Sequence, residues 1–350
     1  GVVMADPDSP PSPLPTGGCS GRHVGLATAC LCLGLAYLLP AQVYPRLAVL
    51  PEDPQANQLQ VDRAGIALVP DEKSRTGVRL ARNVEVRINT FVARAPESTR
   101  DTSVVWTLGT RITVGGYGLL NARVETVSLD RRTAEPTNCC GDRLVTATDD
   151  PQGVPLRHEG YTAWPFDVQK RSYPLWDIQL RRARTAAYLG EQTVDGIGTY
   201  IFRSDVPFTK VGTQELPGAL FGRSEPSVTA EAEYADTRVF WIEPATGNVL
   251  GLHEDLYQRY RYRDRTVTAM AAQMDSPRLS EQMLHETRLG AATLPWLQGR
   301  ASWILAPVGI LLLIGWALWR RSAHPSRISE PRPPDPPEPQ LGTILVPDRE

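Results

Sequence analysis

The stretch Thr237-Arg-Val-Phe-Trp-Ile-Glu-Pro-Ala-Thr-Gly-Asn-Val-Leu-Gly-Leu252 decides the fold class of this chain. Polar and apolar residues alternate at its start, which is typical of a strand with one solvated face. Residues 243–248 then form a strong turn signal, because proline presets φ and glycine accepts a left-handed backbone. A second apolar run begins at Val249. The stretch therefore predicts a β-hairpin.

The same alternation recurs between clusters of Gly, Pro, Asn and Asp. It is visible in residues 83–92, 102–108, 121–129 and 198–202. Strands with one solvated face pair in antiparallel sheets. We therefore predict a mainly β (α+β) domain with antiparallel pairing.

One helix is predicted after the last strands. Ser276 can cap it, Pro277 suits its first position, and Gly290 can end it. This helix leads directly into an apolar segment, so a packing or connecting role is expected.

Two uncharged apolar segments, residues 24–43 and 301–319, flank the β-rich region. At a rise of 1.5 Å per residue, about twenty residues cross the roughly 30 Å hydrocarbon core of a bilayer. Tryptophans near both ends of the second segment suit the two water interfaces. For the first segment an uncleaved anchor is favoured over a signal peptide, because no small-x-small cleavage site follows it.

Basic residues on the outer flanks predict the orientation. Arg22 precedes the first segment, and Arg320 and Arg321 follow the second, whereas Arg46 and Arg300 are lone charges on the inner flanks. Under the positive-inside rule, both termini are expected in the cytoplasm and the β-rich region outside the plasma membrane.

The sequence thus predicts five parts, with proline-rich and polar ends that cannot build a core. They are a disordered leader (1–22), a first span (23–43), an extracytoplasmic domain (44–300), a second span (301–319) and a disordered tail (320–350).

Composition and motifs exclude several functions. The net charge of −2 gives no basic surface for nucleic acid. The chain has no Gly-x-Ser-x-Gly elbow, phosphate-binding glycine loop or His-Glu-x-x-His pair. His158, His253 and His285 are dispersed without ligand spacing, so surface or hydrogen-bonded histidines are favoured over metal ligands. We expect neither an enzyme nor a bound metal or cofactor.

Cys139 and Cys140 are the two cysteines of the external region. Adjacent Cα atoms lie about 3.8 Å apart, closer than in most disulfides, so a bridge needs local distortion. A disulfide that tightens a loop and two free thiols both remain open.

Residues 160–177 hold five aromatic rings, which is the most distinctive composition in the chain. Such rings can line a ligand cavity or a carbohydrate platform, and they can also pack in the core of a hairpin. The aromatic residues assigned to a cavity or core are Trp106, Tyr161, Trp164, Phe166, Tyr173, Trp176, Phe202 and Trp241.

The layout of two spans around a β-rich exterior resembles an actinobacterial family of unknown function labelled "porin PorA family protein". The resemblance rests on Trp164-Pro-Phe-Asp, Tyr173-Pro-Leu-Trp-Asp, Cys139-Cys-Gly-Asp and Val194-Asp-Gly-Ile-Gly-Thr-Tyr-Ile-Phe, and it covers about residues 24–320. It implies a place in a mycolic-acid-bearing envelope and a link to maturation of lipomannan and lipoarabinomannan. Lipid-facing barrel strands are not expected, because two helices supply the apolar surface, so porin activity is disfavoured.

A second, partial resemblance covers about residues 188–262. Leu189-Gly-Glu-Gln-Thr-Val-Asp-Gly-Ile-Gly-Thr-Tyr and Val239-Phe-Trp-Ile-Glu-Pro-Ala-Thr-Gly-Asn-Val-Leu are similar to segments of periplasmic lipoprotein and lipid carriers. That resemblance implies a curved, half-open antiparallel sheet around an apolar cavity for acyl chains.

The expected function is that of an envelope membrane protein whose external domain binds or presents a lipid or lipoglycan intermediate. The partners would be that lipid, the inner membrane and envelope glycosyltransferases. The alternative is a scaffold for glycosyltransferases or transporters that binds no ligand.

Overall fold

The structure, a computed structural model, describes residues 21–96, 102–146 and 152–322. It divides into a β-rich domain, Ala36–Trp303, and a helical unit whose described residues are 21–35 and 304–322. The predicted disordered ends, 1–22 and 320–350, lie outside the described ranges except for residues 21–22 and 320–322, which belong to helices.

Among the described residues, twelve strands pair in one sheet, and every pairing between these strands is antiparallel. They are β1 (Ala56–Pro70), β2 (Val78–Arg94), β3 (Ser103–Val114), β4 (Gly118–Asp130), β5 (Arg143–Thr146), β6 (Val154–Pro155), β7 (Tyr173–Asp177), β8 (Arg182–Val194), β9 (Ile197–Leu216), β10 (Val228–Ile242), β11 (Val249–Tyr262) and β12 (Arg265–Asp275). Their order across the sheet is β6-β5-β4-β3-β2-β1-β12-β11-β10-β9-β8-β7. The predicted mainly β fold is confirmed, and the hairpin predicted around residues 243–248 is β10–β11.

The sheet is strongly curved. Strands β4 and β7 stand nine places apart in the strand order, which is roughly 43 Å in a flat sheet at about 4.8 Å per strand. Yet Trp176 of β7 donates from Nε1 to Oε1 of Glu125 on β4 over 2.8 Å. The sheet therefore curls until its two halves face each other across a shared interior.

The main hydrophobic core fills one end of this interior. It joins Trp106 of β3, Phe202 of β9 and Ile242 of β10 with Tyr161 and Trp164 of the segment between β6 and β7, residues 156–172, called the aromatic segment below. That segment also covers the edge of β7, where Tyr161 donates its N–H to the Pro174 carbonyl over 2.7 Å. Alternation in the strands thus places apolar side chains inside, and the aromatic segment closes over them.

Helix α3 follows the last strand but begins later than the sequence predicts. It spans Glu281–Pro295, and Ser280, whose hydroxyl accepts from the Met283 N–H over 3.3 Å, is its N-cap. The predicted cap at Ser276 is wrong, because that hydroxyl instead accepts from the Leu252 N–H and extends the β11–β12 pairing. Gly290 lies inside the helix, where a Cβ would come within 2.5 Å of Thr246 Cγ2. The absence of a side chain lets α3 pack on the β10–β11 turn.

The remaining helices carry the apolar segments. They are α1 (Gly21–Leu38), a π-helical turn (Leu39–Val43), α2 (Tyr44–Leu47), a second π-helical turn (Trp296–Arg300) and α4 (Ala301–Ser322); a short 3-10 turn (Gly218–Phe221) lies before β10. The stretches Val24–Leu47 and Glu281–Ser322 are long and apolar enough to cross a membrane.

Within the helical unit, α1 and α4 pack closely at Gly309. A Cβ on that glycine would lie 2.7 Å from Leu33 Cγ and 3.1 Å from the Ala29 carbonyl oxygen. A small residue at this place permits the close approach that helices use in membranes, where packing rather than the hydrophobic effect holds them together.

Candidate functional site

The curled sheet lines a half-open cavity of 210 Å³ beside the main core. Its lining comes from strands β1–β4 and β7–β11 and from the aromatic segment, and it includes Trp164 of that segment and Trp176 of β7. Seven charged side chains line it, namely Arg123, Glu125, Asp177, Arg184, Asp236, Arg238 and Glu254. Such a lining suits a polar guest, since a buried charge needs a polar partner.

Arg238 is the centre of one buried ion cluster. Its Nε lies 2.8 Å from Asp236 Oδ2 and 2.9 Å from Glu254 Oε1. Gln60 donates a hydrogen bond to the other oxygen of Glu254. Burial lowers the pKa of the Arg238 guanidinium by itself, but the surrounding carboxylates outweigh it and hold the pKa well above its usual value. Arg238 is therefore a permanent cation at the wall of the cavity.

Tyr234 links this cluster to Asp177 of β7. Its Oη lies 2.9 Å from Asp236 Oδ2 and 3.0 Å from Asp177 Oδ2. Burial raises the pKa of Asp236, and the neighbouring carboxylates of Glu254 and Asp177 add to that rise against the pull of Arg238. At neutral pH this carboxyl favours its protonated form and can donate a hydrogen bond as well as accept one.

Several polar groups that face the cavity have no partner. Buried atoms with no hydrogen-bond partner within the described residues include Thr162 Oγ1, Arg184 Nε and Asp236 Oδ1, all from residues of the lining. Arg123 forms no hydrogen bond or ion pair with any described residue, and burial lowers the pKa of its guanidinium. Buried polar groups in native proteins are normally satisfied by protein, water or ligand. The cavity therefore presents both donors and acceptors to whatever enters it.

A second buried network holds the aromatic segment against the opposite half of the sheet. The His158 ring lies 2.8 Å from Asp142 Oδ2 through Nδ1 and 2.7 Å from Glu125 Oε1 through Nε2. Burial alone would lower the pKa of His158, but hydrogen bonds to these two carboxylates raise it to about 9. His158 is therefore a buried imidazolium at neutral pH. Since Glu125 also accepts from Trp176, this network sets one wall of the cavity.

The aromatic residues singled out from the sequence divide into three groups. Tyr161, Trp164 and Trp176 line the cavity. Trp106, Tyr173 and Phe202 are buried in the core, and the half-buried Phe166 packs against it. Trp241 lies apart on the other face of the sheet, where its Nε1 donates to Gln192 Oε1 over 2.8 Å. The structure thus brings cavity and core together in one place, with Trp241 outside both.

Cys139 and Cys140 are joined by a disulfide in the turn after β4. The Cys139 N–H donates to Ser128 Oγ over 3.1 Å, and the neighbouring Asn138 accepts from the His158 N–H over 2.8 Å. The bridged turn therefore adjoins the His158 network and does not line the cavity. Among the described residues, no group of three or more His, Cys, Asp or Glu side chains could hold a metal ion.

The cavity differs from the one that the lipid-carrier resemblance implies. An acyl chain favours an apolar wall, whereas this wall carries seven charged side chains. Its 210 Å³ is also below the roughly 300–1,000 Å³ of pockets that enclose drug-sized ligands. A small polar group fits the interior better than a long acyl chain.

The sequence reasoning missed all seven charged residues of the lining, among them Arg123, Asp236 and Arg238. One signal was present in β10. Tyr234, Asp236, Arg238 and Phe240 occupy every second position of the strand, so they share its inward face. For Arg123 no local signal exists, since only the curvature of the sheet places its strand opposite β10.

Comparison with known proteins decides the family. The sequence model of the family described as Porin PorA matches residues 23–318, which includes both apolar segments and the whole β-rich domain. The chain belongs to the Porin PorA family. The resemblance to the porin PorA family that was drawn from the sequence is thereby confirmed.

Two curated members of the Porin PorA family illustrate the distance within it. A protein named Porin PorA from Corynebacterium amycolatum is 23% identical, over 86% of this chain and 98% of its own length. A second Porin PorA, from Corynebacterium resistens, is also 23% identical, over 85% of this chain and 96% of its own length. The relationship spans nearly the full length of these proteins at low identity.

Proposed function

We propose that this Porin PorA family member is a two-span protein of the cell envelope whose β-rich domain binds one sugar unit of the glycan part of a lipid or lipoglycan intermediate. The observation that carries the proposal is the polar cavity, in which unpartnered donors and acceptors lie beside Trp164 and Trp176. Sugar hydroxyls donate and accept hydrogen bonds, and sugar rings stack on aromatic faces. Lipomannan and lipoarabinomannan are the candidate ligands that the sequence resemblance suggests.

The charge of the lining supports a neutral or weakly charged guest. Four carboxylic acids face three arginines, and the raised pKa of Asp236 removes one negative charge at neutral pH. A strongly charged ligand would leave part of this balance uncompensated. We propose binding without catalysis, because the carboxylates around Arg238 are engaged with it and with Tyr234.

A titration of the full chain in detergent tests this proposal. Trp164 and Trp176 line the cavity, so tryptophan fluorescence is expected to report its occupation. Lipomannan and its deacylated glycan should both give saturable changes of similar affinity, and phosphatidylcholine should give none. Binding of lipomannan that is lost on deacylation would contradict a glycan site and favour an acyl-chain site.

The membrane placement is also proposed. Arg320 and Arg321 end α4, and the positive-inside rule puts that end in the cytoplasm. With two spans, the N-terminus is then cytoplasmic and the β-rich domain external. Alkaline phosphatase should be active when fused after residue 46 and inactive when fused after residue 322. The reverse pattern would contradict this orientation.

Pore formation is a second candidate, because both relatives carry the name porin. Exposed ion pairs such as Arg203–Asp205 and Lys210–Glu231 lie on strands β9 and β10, and they would be costly against lipid. A pore in this chain would therefore be lined by the helices. Stepwise conductance of the purified protein in planar bilayers would favour this candidate, and its absence would favour glycan binding alone.

A further inference from the structure

A second pocket of 650 Å³ lies in the β-rich domain where both apolar segments join it. Tyr44, which follows the π-helical turn after α1, lines it together with Arg300 and Trp303 at the start of α4. The remaining walls include Asp167 and Lys170 of the aromatic segment. None of its lining residues belongs to the interior cavity. It is therefore a separate site.

Specific contacts hold this second pocket in place; it is called the juxtamembrane pocket because it adjoins the apolar segments. Ser302 donates its hydroxyl to the Ala36 carbonyl over 2.6 Å, which ties the two chain segments together within the domain. Gln298 donates from Nε2 to Asp167 Oδ2 over 2.7 Å, which joins the turn before α4 to the aromatic segment. The pocket is thus built from parts whose relative positions are fixed.

The described lining carries two cations, Lys170 and Arg300, and one carboxylate, Asp167. Arg300 is exposed and forms no hydrogen bond or ion pair with the residues that the structure describes. Lys170 bonds to Glu191 and lies 5.4 Å from the centroid of the Tyr200 ring. Asp167 is the single acidic residue among the described lining residues, and Gln298 already occupies one of its oxygens. The neutral Gln298 amide leaves the negative charge of Asp167 in place, and Arg300 is the cation among the described lining residues that has no ionic partner.

The depth of the pocket fits the headgroup layer of a bilayer. Arg300 immediately precedes the uncharged segment 301–319, and Trp303 is 84% exposed at its first turn. Tryptophan and tyrosine prefer the membrane interface, which is roughly 5–8 Å thick on each side of the hydrocarbon core. A guanidinium there matches phosphate oxygens in a bidentate geometry, while the aromatic rings contact the start of the acyl chains.

We propose that the juxtamembrane pocket binds the headgroup of an anionic phospholipid from the membrane in which the spans sit. Arg300 contacts the lipid phosphate, and Tyr44 and Trp303 flank the glycerol region. The bound lipid fixes the domain against the leaflet on its own side. This proposal requires the spans to be in a membrane and is independent of glycan binding in the interior cavity.

Native mass spectrometry of the full chain tests the proposal with two phospholipid probes, phosphatidylglycerol and phosphatidylcholine, added in equal amount. The wild type should retain phosphatidylglycerol in preference to phosphatidylcholine. R300Q should weaken phosphatidylglycerol binding about fivefold, as expected for one basic residue at an anionic surface. The matched control is R46Q, because Arg46 is an exposed cation beside the first span that does not line the pocket.

The outcomes are decisive in either direction. A selective loss in R300Q, with R46Q within about twofold of the wild type, supports a headgroup site at Arg300. Equal losses in both variants would show attraction to surface charge in general and overturn the proposal. No preference for phosphatidylglycerol in the wild type would also overturn it, as would full displacement of the lipid by millimolar inorganic phosphate.

Discussion

Replacement of His158 by glutamine tests the network that holds the aromatic segment in place. The imidazolium is buried between Asp142 and Glu125, which lie 2.8 Å and 2.7 Å from its two nitrogens. Glutamine is neutral and leaves two buried carboxylates facing each other. Removing one partner of a buried ion pair costs about 3–5 kcal/mol. H158Q should therefore be strongly destabilised at pH 6.5.

The same residue predicts how stability depends on pH. Its pKa is about 9 in the folded protein and 6.5 in the unfolded chain, so the folded state holds the proton more tightly. The stabilisation is complete below pH 6.5 and is lost as pH rises through 9. The difference of about 2.5 pKa units corresponds to about 3 kcal/mol.

The measurement is the apparent melting temperature of the full chain in detergent between pH 6.5 and 9. For a domain of this size, about 3 kcal/mol corresponds to a fall of roughly 6–12 °C in the wild type. Asp236 and His253 also have raised pKa values, but they contribute equally to the wild type and to H158Q. The difference between the two proteins in the slope of melting temperature against pH therefore isolates His158. The control is H285Q, which changes an exposed histidine on α3.

A wild-type melting temperature that is flat over this range would refute the reasoning. So would an H158Q profile that falls as steeply as that of the wild type, because the pH dependence would then come from other groups.

Two further substitutions probe the packing and the ion cluster. G309L should lower stability by about 1–3 kcal/mol through overpacking against α1. G315L is the control and should be nearly neutral, because a Cβ at Gly315 has no neighbouring atom within 4 Å. Equal melting temperatures for the two variants would contradict the contact between α1 and α4. R238M should cost about 3–5 kcal/mol in chemical unfolding because it leaves the buried Glu254 carboxylate without its cation. R203M removes an exposed ion pair and should cost less than about 1 kcal/mol, so a similar loss in both variants would count against the buried cluster.

The sequence predicts most of the fold because its signals are local. Alternation marks β10 and β11, the turn signal at residues 243–248 joins them, and length and apolarity mark α1 and α4. The position of the α3 cap could not be predicted in the same way. Ser276 and Ser280 are equally good caps by type, and the pairing of Ser276 with Leu252 on another strand decides between them.

Only part of the candidate site could be predicted, because local sequence signals do not report contacts between distant strands. The aromatic run marks Trp164 and Trp176 from composition alone. Arg123, however, meets Asp236 and Arg238 only because strands far apart in the sheet order face each other after the sheet curls. Curvature is a property of the whole sheet, so no single strand encodes it.

One measurement tests the glycan-binding cavity most directly. The full chain is titrated with deacylated lipomannan, and tryptophan fluorescence is compared among wild type, R123Q and R111Q. Arg123 is the unpartnered cation of the cavity, whereas Arg111 is exposed on the neighbouring strand and does not line it. A lost hydrogen bond from a charged donor costs about 1.5–3 kcal/mol, so R123Q should weaken binding at least about tenfold and R111Q should leave it unchanged. Equal affinity in R123Q and wild type, or no saturable binding in the wild type, would contradict the account.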